Sequence, residues 1–155
     1  MQFTVKRATA ADVEALVDLM EEFYAEAGFT LDRSSNAAAL QELLLHRAMG
    51  CIWLGLSNEV PIGHAVLTVR FTMEHTGLSG YVDDLYVRPQ FRRGGVGQAL
   101  LTELAAECRV RGCKSLQVEV GEPNAAAPAL YGKFGLRAAT DGRVLASGPI
   151  LEARA

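Results

Sequence analysis

The sequence predicts an α/β fold: one domain with a mixed, mostly antiparallel sheet flanked by helices on both faces. Three observations carry that reading. Stretches alternating polar and apolar residues are interleaved with stretches of helical periodicity. A short polar junction at 57–59 marks a hairpin. A strand–helix–strand run over 81–120 calls for a parallel, right-handed crossover. The 155 residues are the size of one domain, and no repeat, low-complexity stretch or linker divides 1–155.

Residues 2–8 (QFTVKRA) alternate as a strand does. Thr9 then opens a helix, with Asp12 at the capping-box position. Val13, Leu16, Val17, Met20, Phe23, Tyr24 and Ala27 recur at helical spacing, and Gly28 stops them. A second helix is expected from Ser34 or Ser35 to Met49, with Leu40, Leu43 and Leu44 inward and Gly50 ending it. CIWLGLS (51–57) and PIGHAVLTVRF (61–71) form the hairpin, and YVDDLYV (81–87) follows a loop holding Gly77 and Gly80. RPQFRRGGVG then leads into a helix that ends before Gly112. SLQVEV (115–120) is the next strand, Asn124 to Phe134 a short helix, and 136–151 two closing strands.

Composition narrows the function classes. Half the residues are apolar and 21% charged, with a net charge of −3. That balance suits a globular protein and offers no extended nucleic-acid surface. No apolar run approaches the roughly 20 residues that cross a bilayer, and MQFTVKRATA lacks the plan of a secretion signal. Cys51, Cys108 and Cys113 make an odd set without a C-x-x-C pair, which points to a reducing, cytoplasmic setting. His46, His64 and His75 have no ligand spacing to a cysteine, so no metal is expected.

The chemistry concentrates between Arg92 and Gly97. Glycines there let backbone amides approach an anion, and the start of a helix adds partial positive charge. Arg88, Arg92 and Arg93 add full charges, so a diphosphate is the natural guest. A plain strand–helix connector explains Gly95-x-Gly97 equally well. A dinucleotide loop needs a third small residue where Leu100 stands, although Glu119 falls near the position of a ribose-binding acid. A Walker loop is excluded, because no Gly-Lys-Ser/Thr follows.

Arg92-Arg93-Gly94-Gly95-Val96-Gly97 resembles the Arg/Gln-x-x-Gly-x-Gly/Ala motif of the GCN5-related N-acetyltransferase (GNAT) family. Asn124, Ala127, Leu130-Tyr131 and Gly135-Leu136 resemble its second motif, with Leu136 in place of the commoner Phe. Within the family, YVDDLYV…RRGGVG…NAAAPALY is most similar to the spermidine/spermine and thialysine N-acetyltransferase branch. The resemblance implies an acyl-coenzyme A N-acyltransferase fold whose strands 81–87 and 115–120 splay apart. Pantetheine of acetyl-coenzyme A would pair with the backbone of Leu85, Tyr86 and Val87, and the diphosphate would rest on the amides of Arg93 to Gln98, with Asn124 near pantetheine or acceptor. It also implies acetylation of a primary amine by direct attack in a ternary complex, and dimers are common in that branch.

Acetyl transfer to an ammonium needs a base, an oxyanion donor and a proton for the departing thiolate. The resemblance makes Tyr131 the proton donor, against the plainer reading of a packing tyrosine. Asp83 matches an acid that holds or deprotonates the amine, and Asp84, one residue on, faces the other way in a regular strand. Asp84 is then a structural hydrogen-bonding group or a secondary acceptor contact; strand-end charges near solvent are the plain alternative for both. Of the acids on the first helix, Glu21 and Glu22 read as a solvated face, while Glu26 can reach the acceptor. Ala27 stands where the polyamine branch has an acid, which speaks against polyamine specificity. A non-catalytic acyl-coenzyme A sensor is the reading from another class.

Overall fold

The computed structural model describes residues 2–121, 127–143 and 146. β1 (Thr4–Arg7), α1 (Val13–Glu26), α2 (Arg33–Leu45), β2 (Gly50–Ser57), β3 (Val60–Thr72), β4 (Gly77–Val87), α3 (Val96–Val110), β5 (Ser115–Val118) and α4 (Ala127–Gly132) follow in chain order. The strands form one sheet in the order β1-β2-β3-β4-β5. Its first three pairings are antiparallel, and β4 and β5 run parallel. The mixed sheet expected from the sequence is therefore the one that forms.

Alternation along the strands builds two cores. Cys51, Trp53, Leu67 and Val82 pack with Val96, Leu100, Leu101 and Leu104 of α3. Ile52, Leu54, Val66 and Tyr86 pack on the other side with Leu16, Leu19 and Met20 of α1 and Leu40 of α2. Helices thus cover both faces, each burying its apolar stripe.

Local chemistry explains most of the boundaries. Asp12 accepts from the Thr9 amide at 2.8 Å, as the capping pattern requires. Asn58 and Glu59 both take positive φ, giving the tight two-residue connection between β2 and β3. α2 starts at Arg33, earlier than expected, because Asp32 caps it by accepting from the Ser35 amide at 2.7 Å. It ends at Leu45 rather than Met49, since the chain must turn to lay Gly50 against β3. A Cβ on Gly50 would lie 1.9 Å from the Leu67 carbonyl oxygen.

β4 begins at Gly77, so Gly80 lies in a strand and not in a loop. Its missing side chain makes room for Cys108 of α3, whose Sγ would lie 2.5 Å from a Cβ there. α4 starts at Ala127 among the described residues, and Asn124 lies outside them. Residues 136–143 form no strand, which departs from the expected closing pair; of 144–151 only residue 146 is described.

Candidate functional site

The link from β4 to α3 has the backbone the sequence suggested. Arg93 and Gly95 both adopt left-handed φ, +66° and +90°, and Gly95 is the N-cap of α3. Among the described residues no backbone carbonyl accepts from the amides of Arg93 to Gln98. A Cβ on Gly95 would meet nothing within 4 Å, so the space above it is open, while Gly97 faces Leu130 and Val87. These orphan amides at the positive end of a helix fit a diphosphate.

The arginines depart from expectation. Arg88 is held by Glu22 of α1 at 2.7 Å and by the Pro61 carbonyl. Arg92 is held by Glu26 at 2.7 Å and by the Val87 carbonyl, and lies over the Tyr86 ring. The Tyr86 hydroxyl donates to both Glu22 and Glu26. Glu22 is therefore an anchor between α1 and β4, correcting its reading as a solvated side chain. Glu21 pairs with Arg33 at the surface. Glu26 reaches Arg92 of the glycine-rich loop. Of the three cations, Arg93 alone makes no ion pair among the described residues. The sequence showed the charges but not their partners, since Glu22 and Arg88 are 66 residues apart.

Among the described residues β4 and β5 pair through Ser79–Ser115 to Val82–Val118, and past Val82 the backbone of β4, including Leu85, Tyr86 and Val87, has no β5 partner. Leu85 and Val87 turn toward the α3 core, and Tyr86 toward α1. Tyr131 packs in the α3 core, 9% exposed, and burial pushes its phenol up to about 12. It is thus protonated at neutral pH, on the same side of the sheet as the loop–α3 junction.

The two acids do not follow a regular pleat. Val66 opposes Asp84 and Leu67 opposes Val82, so Asp83 is the extra residue of a β-bulge. Val82 faces α3 with Leu67, and Asp84 faces α1 with Val66. Asp84 is 7% exposed, and burial followed by the Asp83 charge raises its carboxyl to about 7. Asp83 is exposed on the bulge; its carboxyl is also raised, first by desolvation and then by Glu119. A bulge leaves no mark in the sequence, so which of the two acids is buried was not legible there.

The same face of the sheet holds His64, fully buried, with the rings of Phe23 and Tyr86 6.5 and 6.1 Å away. Among the described residues neither ring nitrogen has a partner, and burial lowers its pKa to about 4. His64 is a neutral core residue that the sequence analysis used only to argue against a metal. Among the described residues no cluster could hold a metal ion, and no helix is long and apolar enough to cross a membrane.

This strand–glycine loop–helix geometry beside a parting strand pair matches the comparison with known proteins. The Acetyltransferase (GNAT) family profile matches residues 13–136. The chain belongs to this family. A pig thialysine N-epsilon-acetyltransferase is 32% identical over 66 residues, 43% of this chain and 39% of its own. The Escherichia coli K12 alanine N-acetyltransferase of ribosomal protein bS18 is 44% identical over 57 residues, 37% of this chain and 38% of its own. An aminoglycoside N(6')-acetyltransferase of Stenotrophomonas maltophilia is 28% identical over 117 residues, 73% of this chain and 72% of its own. The match thus spans about two-fifths of the first two relatives. An integron cassette protein from the metagenome of Cole Harbour Salt Marsh shares the fold, with TM-score 0.84 and 36% identity over 96% of this chain and 91% of its own.

Proposed function

We propose that this protein transfers an acetyl group from acetyl-coenzyme A to a primary amine, by direct attack in a ternary complex. The observation that carries the reading is the loop of orphan amides from Arg93 to Gln98, opening beside a β4 backbone that β5 has left. The amides and Arg93 bind the diphosphate and the free edge at Leu85–Val87 aligns the pantetheine; the family motif assigns Asn124, outside the described residues, to the pantetheine or the acceptor. Tyr131 supplies the thiolate's proton, and the acids of β4 draw a cationic acceptor. Bound there, the coenzyme supplies the thioester carbonyl that the amine attacks.

Relatives that act on a lysine analogue and an aminoglycoside support a cationic small molecule or amino-acid-like amine. The bS18 relative makes a protein N-terminus the contrasting candidate. We further propose a cytoplasmic enzyme that needs no metal and forms a homodimer, which light scattering of the purified chain tests directly. The deciding experiment is acetylation of spermidine, lysine, kanamycin and a free-amine tripeptide, followed as thiol release. Release only with an amine supports the transferase. Tight acetyl-coenzyme A binding without transfer to any of them favours the non-catalytic sensor.

A further inference from the structure

Asp84 is a buried carboxylate, 7% exposed, to which no side chain among the described residues donates, and it shares its face of the sheet with apolar side chains and the neutral His64. Burying a carboxylate without a donor is costly, and a structural role would come with one. Its oxygens are not sealed in, unlike both nitrogens of His64. A buried acid with no donor among the described residues and some exposure left is the kind of group found at functional sites.

Its direction is set by the bulge. The glycine loop feeds α3, and Tyr131 packs in the α3 core, so the coenzyme-facing machinery lies on that side of the sheet. An amine attacking the same thioester has the α1 side left to it. Asp84 lies on that side, next to the bulge residue and just past Val82, where β5 pairing ends. Phe23 and Tyr24 of α1 stack on one another and pack on the core of that side, and the Tyr24 phenol is raised by burial and then by the charges of Asp84 and Asp83.

We infer that Asp84, and not Asp83, is the base that takes the acceptor's proton, while Asp83 at the exposed bulge attracts and orients the cation. The inference rests on the transferase reading above. Asp84 takes one proton from the ammonium and the neutral nitrogen forms the C–N bond. The C–S bond then breaks, and Tyr131 gives its proton to the thiolate. The second proton on nitrogen restores Tyr131, and Asp84 returns the first to solvent. The titratable groups around Asp84 are Asp83 on its own strand, Glu119 beyond β5 acting through Asp83, Tyr24 on α1, and His64 and Tyr86 on the same face, the latter tied to Glu22 and Glu26. His64 stays neutral to about 4, so an acidic limb near neutrality belongs to Asp84.

The test compares wild type, Asp84→Asn, Asp84→Glu and Asp83→Asn with two kinds of amine. One is whichever of spermidine, lysine, kanamycin and the tripeptide the wild type acetylates fastest. The other is hydroxylamine, which is already neutral at neutral pH and needs no base. Asp84→Asn is expected to lose about 10²–10³-fold in kcat/KM with the protonated amine, and only a few-fold with hydroxylamine. The acidic limb should vanish, and Asp84→Glu should restore part of it. Asp83→Asn should raise KM and keep the limb. Equal losses with both amines in Asp84→Asn, or loss of the limb in Asp83→Asn alone, would overturn the assignment and leave the transferase reading standing. If wild type transfers to neither kind of amine, the transferase reading itself falls.

Discussion

Replacing Asp84 by Asn should make the protein more stable at alkaline pH, with a gain that disappears in acid. Holding the carboxyl at about 7 instead of its ordinary 3.8 corresponds to about 4 kcal/mol between its two protonation states. The folded state therefore binds the Asp84 proton more tightly than the unfolded chain. Stability from this group is present below pH 4 and is lost as pH rises through 7. His64 acts with the opposite sign. Its folded value of about 4 lies below the ordinary 6.5, so the unfolded chain binds that proton first. Stability falls by up to about 3 kcal/mol as pH drops from 6.5 to 4. Over that interval the two slopes oppose each other, and the wild type should be nearly flat.

Asp84→Asn removes one slope and exposes the other, about 1.4 kcal/mol per pH unit. The new amide is itself short of partners, which costs about 1–3 kcal/mol, so the net gain in alkali should be about 1–3 kcal/mol. Urea unfolding across the range from pH 4 to 8, with m held common, reads both quantities. A variant less stable than wild type in alkali, or a difference that does not change with pH, would refute the reasoning that Asp84 is charged and uncompensated in the folded protein.

Gly95→Val places a β-branched residue at φ +90° and fills the open space above the loop; calorimetry should show acetyl-coenzyme A binding abolished while circular dichroism stays folded. Arg93→Ala should weaken coenzyme binding more than Arg92→Ala and flatten its salt dependence, because Arg92 is engaged by Glu26; the reverse order would return Arg92 to the diphosphate. Tyr131→Phe keeps the packing and should cost roughly 10–1000-fold in kcat with unchanged coenzyme affinity. Unchanged turnover at saturating amine would make Tyr131 a packing residue.

Much of the fold was legible because periodicity is local. The apolar spacing from Val13 to Met20 buries one stripe of α1, and the continuous apolar run from Cys51 to Leu54 supplies alternate residues to the two cores, whatever lies opposite. The Asn58-Glu59 turn and the loop at Gly95 were readable for the same reason, since their φ values are set by neighbouring residues. Gly80 misled because its reason is tertiary: it is small to admit Cys108, 28 positions along the chain.

What the sequence by itself determined is the order of the elements from β1 to α4, the glycine-rich loop ahead of α3 and the presence of two acids in one strand. These depend on short-range spacing and backbone freedom. Only the tertiary structure decided which arginine is without an ion pair among the described residues and which acid is buried. Both depend on contacts between residues distant along the chain. Glu22 and Glu26 meet Arg88 and Arg92 only when α1 lies across β4. Asp84 turns toward α1 only because β3 fails to match β4 residue for residue at Asp83.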